Sequence, residues 1–240
     1  MSRSIFTVTD LPDIVIDIPD YVSNIYVQFS SGTDSSMMLY LICLTLEKHK
    51  RYDVKVIAGH GCQTDLTPSS EYAARGMFSA IKEDFPNIDL DLYLFWFRAG
   101  DESKSAPIDY YEQKCMNENN SQMFWCGINR NPPMQLKEEV FVSHNGKPGK
   151  QLGVRPERDM DVLSKKQTYA QWEERGLIVA KPIMYIHKKG IAELYSRYPT
   201  MQNKVLPLTE SCVKTKLCKK CAGCEEKYWA FGHYDHLETT

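Results

Sequence analysis

Ile25-Tyr26-Val27-Gln28-Phe29-Ser30-Ser31-Gly32-Thr33-Asp34-Ser35-Ser36-Met37-Met38-Leu39-Tyr40-Leu41-Ile42 reads as a buried strand, a small hydroxyl-rich turn and an apolar helix. A turn of this kind, free of bulky side chains, lets backbone N–H groups and hydroxyls face an anion, and the following helix adds the positive end of its dipole. Gly32 is the residue expected to supply a backbone conformation that others resist. No Gly-Lys-Ser/Thr follows, so the turn is not the lysine-bearing cradle of kinases and GTPases. Capping of the helix by Asp34 or Ser35 in an ordinary turn is the competing explanation.

Outward from this stretch, strand-like runs recur at Asn24–Phe29, Asp53–Ala58, Leu90–Phe97, Met123–Ile128 and Leu177–Ile183. They are nearly continuous apolar runs, as expected of parallel strands covered on both faces, and the intervals between them carry helical periodicity. Leu39, Ile42, Cys43 and Leu46 share one helical face, and Tyr72, Met77, Ile81 and Phe85 a less regular one. The fold class is therefore α/β, a parallel sheet wrapped by helices, with ligands expected beyond the carboxyl ends of the strands. Glu139–Ser143 and His144–Gly149 suggest a hairpin, and residues 164–175 a helix ended by Gly176.

With 240 residues, of which 42% are hydrophobic and 25% charged, the chain can build one large core, divided here as 1–207 for an α/β domain and 208–240 for a C-terminal segment packed on it. The net charge of −2 offers nucleic acid no global attraction, so direct nucleic-acid binding is not expected; the local clusters Lys147, Lys150, Arg155, Arg158 and Lys214, Lys216, Lys219, Lys220 read first as solvated faces. Residues 1–20 interleave Asp10, Asp13, Asp17 and Asp20 with short apolar pieces, unlike a secretion signal, and no run approaches the roughly 18 apolar residues of a membrane span. A cytoplasmic location follows as the expectation.

Four of the eight cysteines crowd together as Cys212, Cys218, Cys221 and Cys224. That spacing lets four thiolates converge on one tetrahedral ion, with zinc the first choice and an iron–sulfur cluster the alternative. Neighbouring lysines would favour the thiolates.

The turn at Ser30–Ser36, with Ser31 where a glycine is usual, resembles the PP-loop ATP pyrophosphatase superfamily. With Lys181-Pro182-Ile183-Met184-Tyr185-Ile186-His187-Lys188, Glu210-Ser211-Cys212, the cysteine triplet and Ala230-Phe231, the chain is similar to the 7-cyano-7-deazaguanine synthase family over roughly residues 24–231. The resemblance implies a PP-loop fold of the HUP-like, adenine nucleotide alpha hydrolase type. It implies a C–N ligase of queuosine and deazaguanine biosynthesis that uses ATP, Mg²⁺ and Zn²⁺. Such an enzyme adenylates a deazapurine carboxylate and lets ammonia convert it to amide and nitrile, with AMP and pyrophosphate released. By the same resemblance Ser30, Ser31, Gly32, Thr33, Asp34, Ser35 and Ser36 contact the nucleotide, Asp34 and Lys188 are catalytic, and Cys212, Cys218, Cys221 and Cys224 hold the metal; Gly127, where the fourth strand ends, is expected to let substrate or adenine approach the backbone. Arg155-Pro156-Glu157 has a family counterpart near the substrate, and His60 is expected on the loop after the second strand, first as a solvent-facing residue and alternatively at the site's mouth. The family's Gly-Arg-Asn segment is missing, Tyr110-Tyr111-Glu112-Gln113 standing in about that region, and Glu225 and Glu226 replace basic residues after the last cysteine. These departures leave room for a sulfur-transfer or other nucleotide-modifying PP-loop enzyme, or for a nucleotide-binding module without turnover. A homodimer is the oligomeric state that general prevalence favours.

Overall fold

The computed structural model describes residues 1–64, 69–98, 105–130, 171–174, 176–211, 217, 219 and 221–235. The chain opens with an antiparallel hairpin, β1 (Ser2–Val8) and β2 (Leu11–Ile18), that forms its own two-stranded sheet. Alternation explains it: Ile14, Ile16 and Ile18 of β2 are fully buried, while Asp13 in the same strand and Asp10 at the tip stay outside. Asp10 takes φ +56° at the tip, a conformation aspartate tolerates better than most residues. Of the four aspartates in residues 1–20, Asp10 lies at the exposed turn and Asp13 on the exposed start of β2, whereas Asp17 is buried within β2 and Asp20 follows the strand, exposed.

The main sheet comprises β3 (Asn24–Gln28), β4 (Lys55–Gln63), β5 (Asp89–Phe97), β6 (Met123–Cys126), β7 (Gln171–Glu174) and β8 (Leu177–Ala180), in the order β5-β4-β3-β6-β8-β7. Five of its strands are parallel, and β7 closes the edge antiparallel to β8. From β3 the chain adds β4 and β5 on one side and β6 and β8 on the other, so the winding reverses between β3 and β6. In open α/β sheets the crevice that takes ligands lies at such a reversal, outside the carboxyl ends of the two strands.

Helix α1 (Thr33–Lys48) leaves β3 and buries Met37, Met38, Leu41, Ile42 and Leu46 against one face of the sheet, where α2 (Ser69–Asp84) contributes Met77 and Ile81. Tyr72, expected on the buried side of α2, is exposed. α3 (Ser105–Glu118) covers the other face, its Cys115 packed with Tyr26 and Ile57. α4 (Lys188–Arg197) and α5 (Ala222–Phe231) pack together through Tyr195 and Phe231, whose rings lie 5.5 Å apart, edge to face. Gly190 of α4 has no room for a side chain, since an added Cβ would fall 2.6 Å from Ile186 and Leu11; this is how closely the first hairpin seats on α4.

Two sequence expectations change here. Residues 171–174 form a strand, not the end of a helix, and the rest of the expected helix from 164 lies outside the described residues. Gly176 has φ +76° in the two-residue connection that pairs Glu174 with Leu177, so its left-handed conformation serves a hairpin rather than a helix C-terminus. The expected hairpin at 139–149 also lies outside the described residues.

Candidate functional site

β3 ends at Gln28, and the next residues turn into α1 at the crevice. The turn is tied back to the sheet by Phe29 N–H, which donates to Gly59 O at 2.8 Å. Ser31, not Gly32, carries the left-handed backbone, with φ +55°, while Gly32 is extended, at φ −86° and ψ 163°, as the residue preceding α1. A non-glycine residue there costs on the order of 1 kcal/mol, so something must hold the turn. Glu210 N–H does so, donating to Ser31 O at 3.1 Å.

The hydroxyls divide into two sets. Ser36 Oγ donates to Gly32 O at 2.9 Å and touches Met77 Sδ at 3.4 Å, so it faces inward. Ser35 Oγ bridges the turn, accepting from Ser30 N–H at 3.1 Å and lying 3.1 Å from Ser30 Oγ. Ser31, Thr33, Ser35 and Ser36 are buried, whereas Ser30 is exposed and Gly32 and Asp34 are half-buried. Surface available to an anion is therefore that of Ser30, Gly32 and Asp34 and the first turn of α1, which no side chain caps.

Lys188, the first residue of α4, reaches this turn from 154 positions away and donates to Asp34 Oδ2 at 2.6 Å and to Thr33 Oγ1 at 3.1 Å. Tyr195, two turns further along the same face of α4, donates its hydroxyl to Thr33 O at 3.1 Å. Asp34 Oδ1 is buried and has no hydrogen-bond partner among the described residues. The two predicted catalytic residues thus meet, and the carboxylate keeps one oxygen unspent. Such an oxygen beside a phosphate suits Mg²⁺, which binds through one or two carboxylates, phosphate oxygens and water.

Gly127 lies just past β6, where an added Cβ would sit 3.0 Å from Ser35 N and Cα. The close backbone approach that it permits is made by this chain's own helix start. His60 is on β4, not on a loop: it is buried, and its Nδ1 pairs with Phe29 O at 2.8 Å. Burial holds its pKa below the usual histidine value, so the neutral ring is favoured. Arg155, Pro156 and Glu157 lie outside the described residues.

The C-terminal segment is built onto the same turn. Lys227 of α5, fully buried, donates to Thr209 O at 3.0 Å, Thr209 Oγ1 at 2.8 Å and Asp235 Oδ1 at 2.5 Å, and Asp235 Oδ2 accepts from Ser211 N–H at 2.7 Å. Burial lowers the pKa of Lys227, with Asp235 opposing. Cys221 and Cys224 open α5 with their sulfurs 3.5 Å apart, near the roughly 3.8 Å separation that two thiolates at about 2.3 Å impose on one tetrahedral zinc. Cys212 and Cys218 lie outside the described residues, and among the described residues no group of three or more His, Cys, Asp or Glu side chains could hold a metal ion.

Sequence reasoning missed several groups at this mouth: the Glu210 N–H, Tyr195, Gln28 and Glu112. Gln28 was hidden inside an apolar run, and a backbone donor leaves no sequence signal. No helix among the described residues is long and apolar enough to cross a membrane.

No family model matches the chain, and no curated protein matches it. Among solved structures it is similar to the Candida glabrata FMN adenylyltransferase in complex with FMN and an ATP analogue, at 13% identity and a TM-score of 0.41, over 91% of this chain and 68% of that one. It is also similar to the tRNA thiolase NcsA from Methanococcus maripaludis with its iron–sulfur cluster, at 14% identity and a TM-score of 0.45, over 88% of this chain and 71% of that one.

Proposed function

We propose that the protein is an ATP-dependent ligase of the PP-loop type that adenylates a carboxylate, 7-carboxy-7-deazaguanine being the first candidate, and passes the activated carbonyl to ammonia. AMP and pyrophosphate are the products, and the amide or, after a second activation, the nitrile is the end of the sequence. The observation that carries this reading is the Lys188–Asp34 pair at the start of α1, with one carboxylate oxygen unspent and one ammonium proton beyond its two bonds.

A carboxylate is a poor electrophile, and transfer to the α-phosphorus of ATP gives its carbon a leaving group. The negative charge that gathers on departing pyrophosphate then needs preorganised donors. Ser30 and the uncapped backbone N–H groups of α1 can supply them, and Lys188 supplies a cation that Asp34 and Thr33 hold in place. Mg²⁺, when held by Asp34, would add charge neutralisation at the same phosphates. Four thiolates from Cys212, Cys218, Cys221 and Cys224 would hold Zn²⁺ as a structural ion, and a cytoplasmic setting would keep them reduced.

The test is formation of AMP and pyrophosphate that depends on both 7-carboxy-7-deazaguanine and ammonia, and that Asp34→Ala abolishes. ADP as the product would overturn the reading. Turnover lost with biological activity intact in Asp34→Ala would instead mark a nucleotide-binding module. A visible absorbance in anaerobically prepared protein would favour the sulfur-transfer alternative.

A further inference from the structure

The face of the sheet opposite α1 carries a second polar group at the same mouth. Gln28 and Cys126 are the last residues of β3 and β6 and lie in register with each other. Cys126 Sγ donates to Gln28 Oε1 at 3.0 Å, and Gln28 Nε2 donates to both carboxyl oxygens of Glu112 at 3.1 and 3.3 Å. Glu112, on α3, is only 5% exposed, and no cation pairs with it among the described residues. Tyr26, two residues before Gln28 on the same side of the strand, is fully buried and its hydroxyl has no partner among the described residues.

A buried carboxyl held by one neutral amide works against the fold, since burial penalises its charge and nothing opposite compensates. Burial, reinforced by Asp109, pushes its pKa up to about 7, against the Gln28 bond. Packing alone would be better served by an apolar residue. Position supplies the reason to keep it: β3 and β6 are the strands between which the winding reverses, where open α/β sheets take their ligands. A carboxylate offers about four acceptor positions, and the Gln28 amide spans one on each oxygen, which leaves others for a ligand.

We propose that Glu112 reads an N–H donor group of a ligand bound at this mouth, with Gln28 and Cys126 holding the carboxyl in place. The inference rests on the ATP reading and extends it to the opposite face of the sheet. Two sources share this chemistry: the amino group of adenine, and the nitrogen-bearing edge of the heterocyclic acceptor.

Binding of ATP, inosine triphosphate and 7-carboxy-7-deazaguanine to the full chain, measured by calorimetry for wild type, Glu112→Gln and Glu112→Asp, separates them. If adenine is read, wild type prefers ATP to inosine triphosphate by about tenfold or more, roughly one hydrogen bond to a charged group, and both variants lose the preference. If the acceptor is read, the two nucleotides bind alike throughout and the heterocycle loses about tenfold in both variants. Folded variants, by thermal denaturation, in which neither the nucleotide preference nor the heterocycle affinity moves by more than twofold would overturn the proposal and leave Glu112 a structural residue. Wild type that binds the heterocycle but no nucleotide would end the ATP reading while the heterocycle still decides the role of Glu112; wild type that binds neither overturns both.

Discussion

The chain places two buried lysine–aspartate pairs within its C-terminal half and the turn it contacts, and they are finished to different degrees. In the Lys227–Asp235 pair the side chains are 0% and 1% exposed. Lys227 reaches three acceptors, matching its three protons, and Asp235 uses both oxygens. In the Lys188–Asp34 pair the side chains are 7% and 15% exposed, the ammonium reaches two acceptors, and Asp34 Oδ1 has none among the described residues. A pair with every bond made joins parts of a fold, here α5 to Thr209–Ser211. A pair with one donor and one acceptor left over, at the mouth of a sheet, is complementary to a phosphate and its cation.

Removing one partner of the finished pair should have the largest effect. Lys227→Met leaves Asp235 buried without its cation and is expected to cost about 3–5 kcal/mol in urea denaturation. Replacing both members by apolar residues should recover most of that loss. Equal losses for the single and double variants would show that the pair does not hold the segment as described.

Glu112, a buried acid with no cation beside it among the described residues, sharpens the contrast through pH. Its folded pKa of about 7 lies above the ordinary value of 4.5, so between these values the folded chain holds a proton that the unfolded chain has released. Stability from this group is complete below pH 4.5 and is lost as pH rises through about 7, up to about 3 kcal/mol. Glu112→Gln cannot ionise; its advantage over wild type should grow from near zero at pH 4.5 to about 2–3 kcal/mol at pH 8. A difference that does not change with pH would mean that folding leaves the Glu112 carboxyl titrating as it does in the unfolded chain.

At the unfinished pair the balance reverses. Lys188→Ala is expected to weaken ATP binding on the order of 10–100-fold, the range for a hydrogen bond to a charged group, while its cost in stability stays below that of Lys227→Met. Nucleotide titration beside thermal denaturation checks both halves. The smallest effect belongs to the turn: Ser31→Gly relieves a left-handed residue and, after the entropy of glycine in the unfolded chain, should stabilise the protein by about 0.5 kcal/mol at most. A loss of stability would mean that the Ser31 side chain contributes more than its backbone costs.

Much of this was legible from local pattern. The strand, turn and helix across residues 25–42, and the later strands, follow from apolar periodicity and small turn residues. The failures are also local in origin. Residues 171–174 read as helix because a four-residue strand carries too short a period to outweigh its neighbours, and only pairing with β8 settles it. His60 read as a loop residue because β4 runs on through Gly59 and Gly61, which leave room for Tyr26 and for Phe95.

Sequence alone determined that Ser30–Ser36 turns at the carboxyl end of a buried strand, since hydrophobic period and turn chemistry act over a few residues. Tertiary structure decided which residue bears the left-handed backbone, that Lys188 meets Asp34 across 154 positions, and that Glu112 meets Gln28 across 84. Partnership and burial arise only when distant segments pack, and those two quantities set whether a charged group ends as a tie in the scaffold or as a contact left open for a ligand.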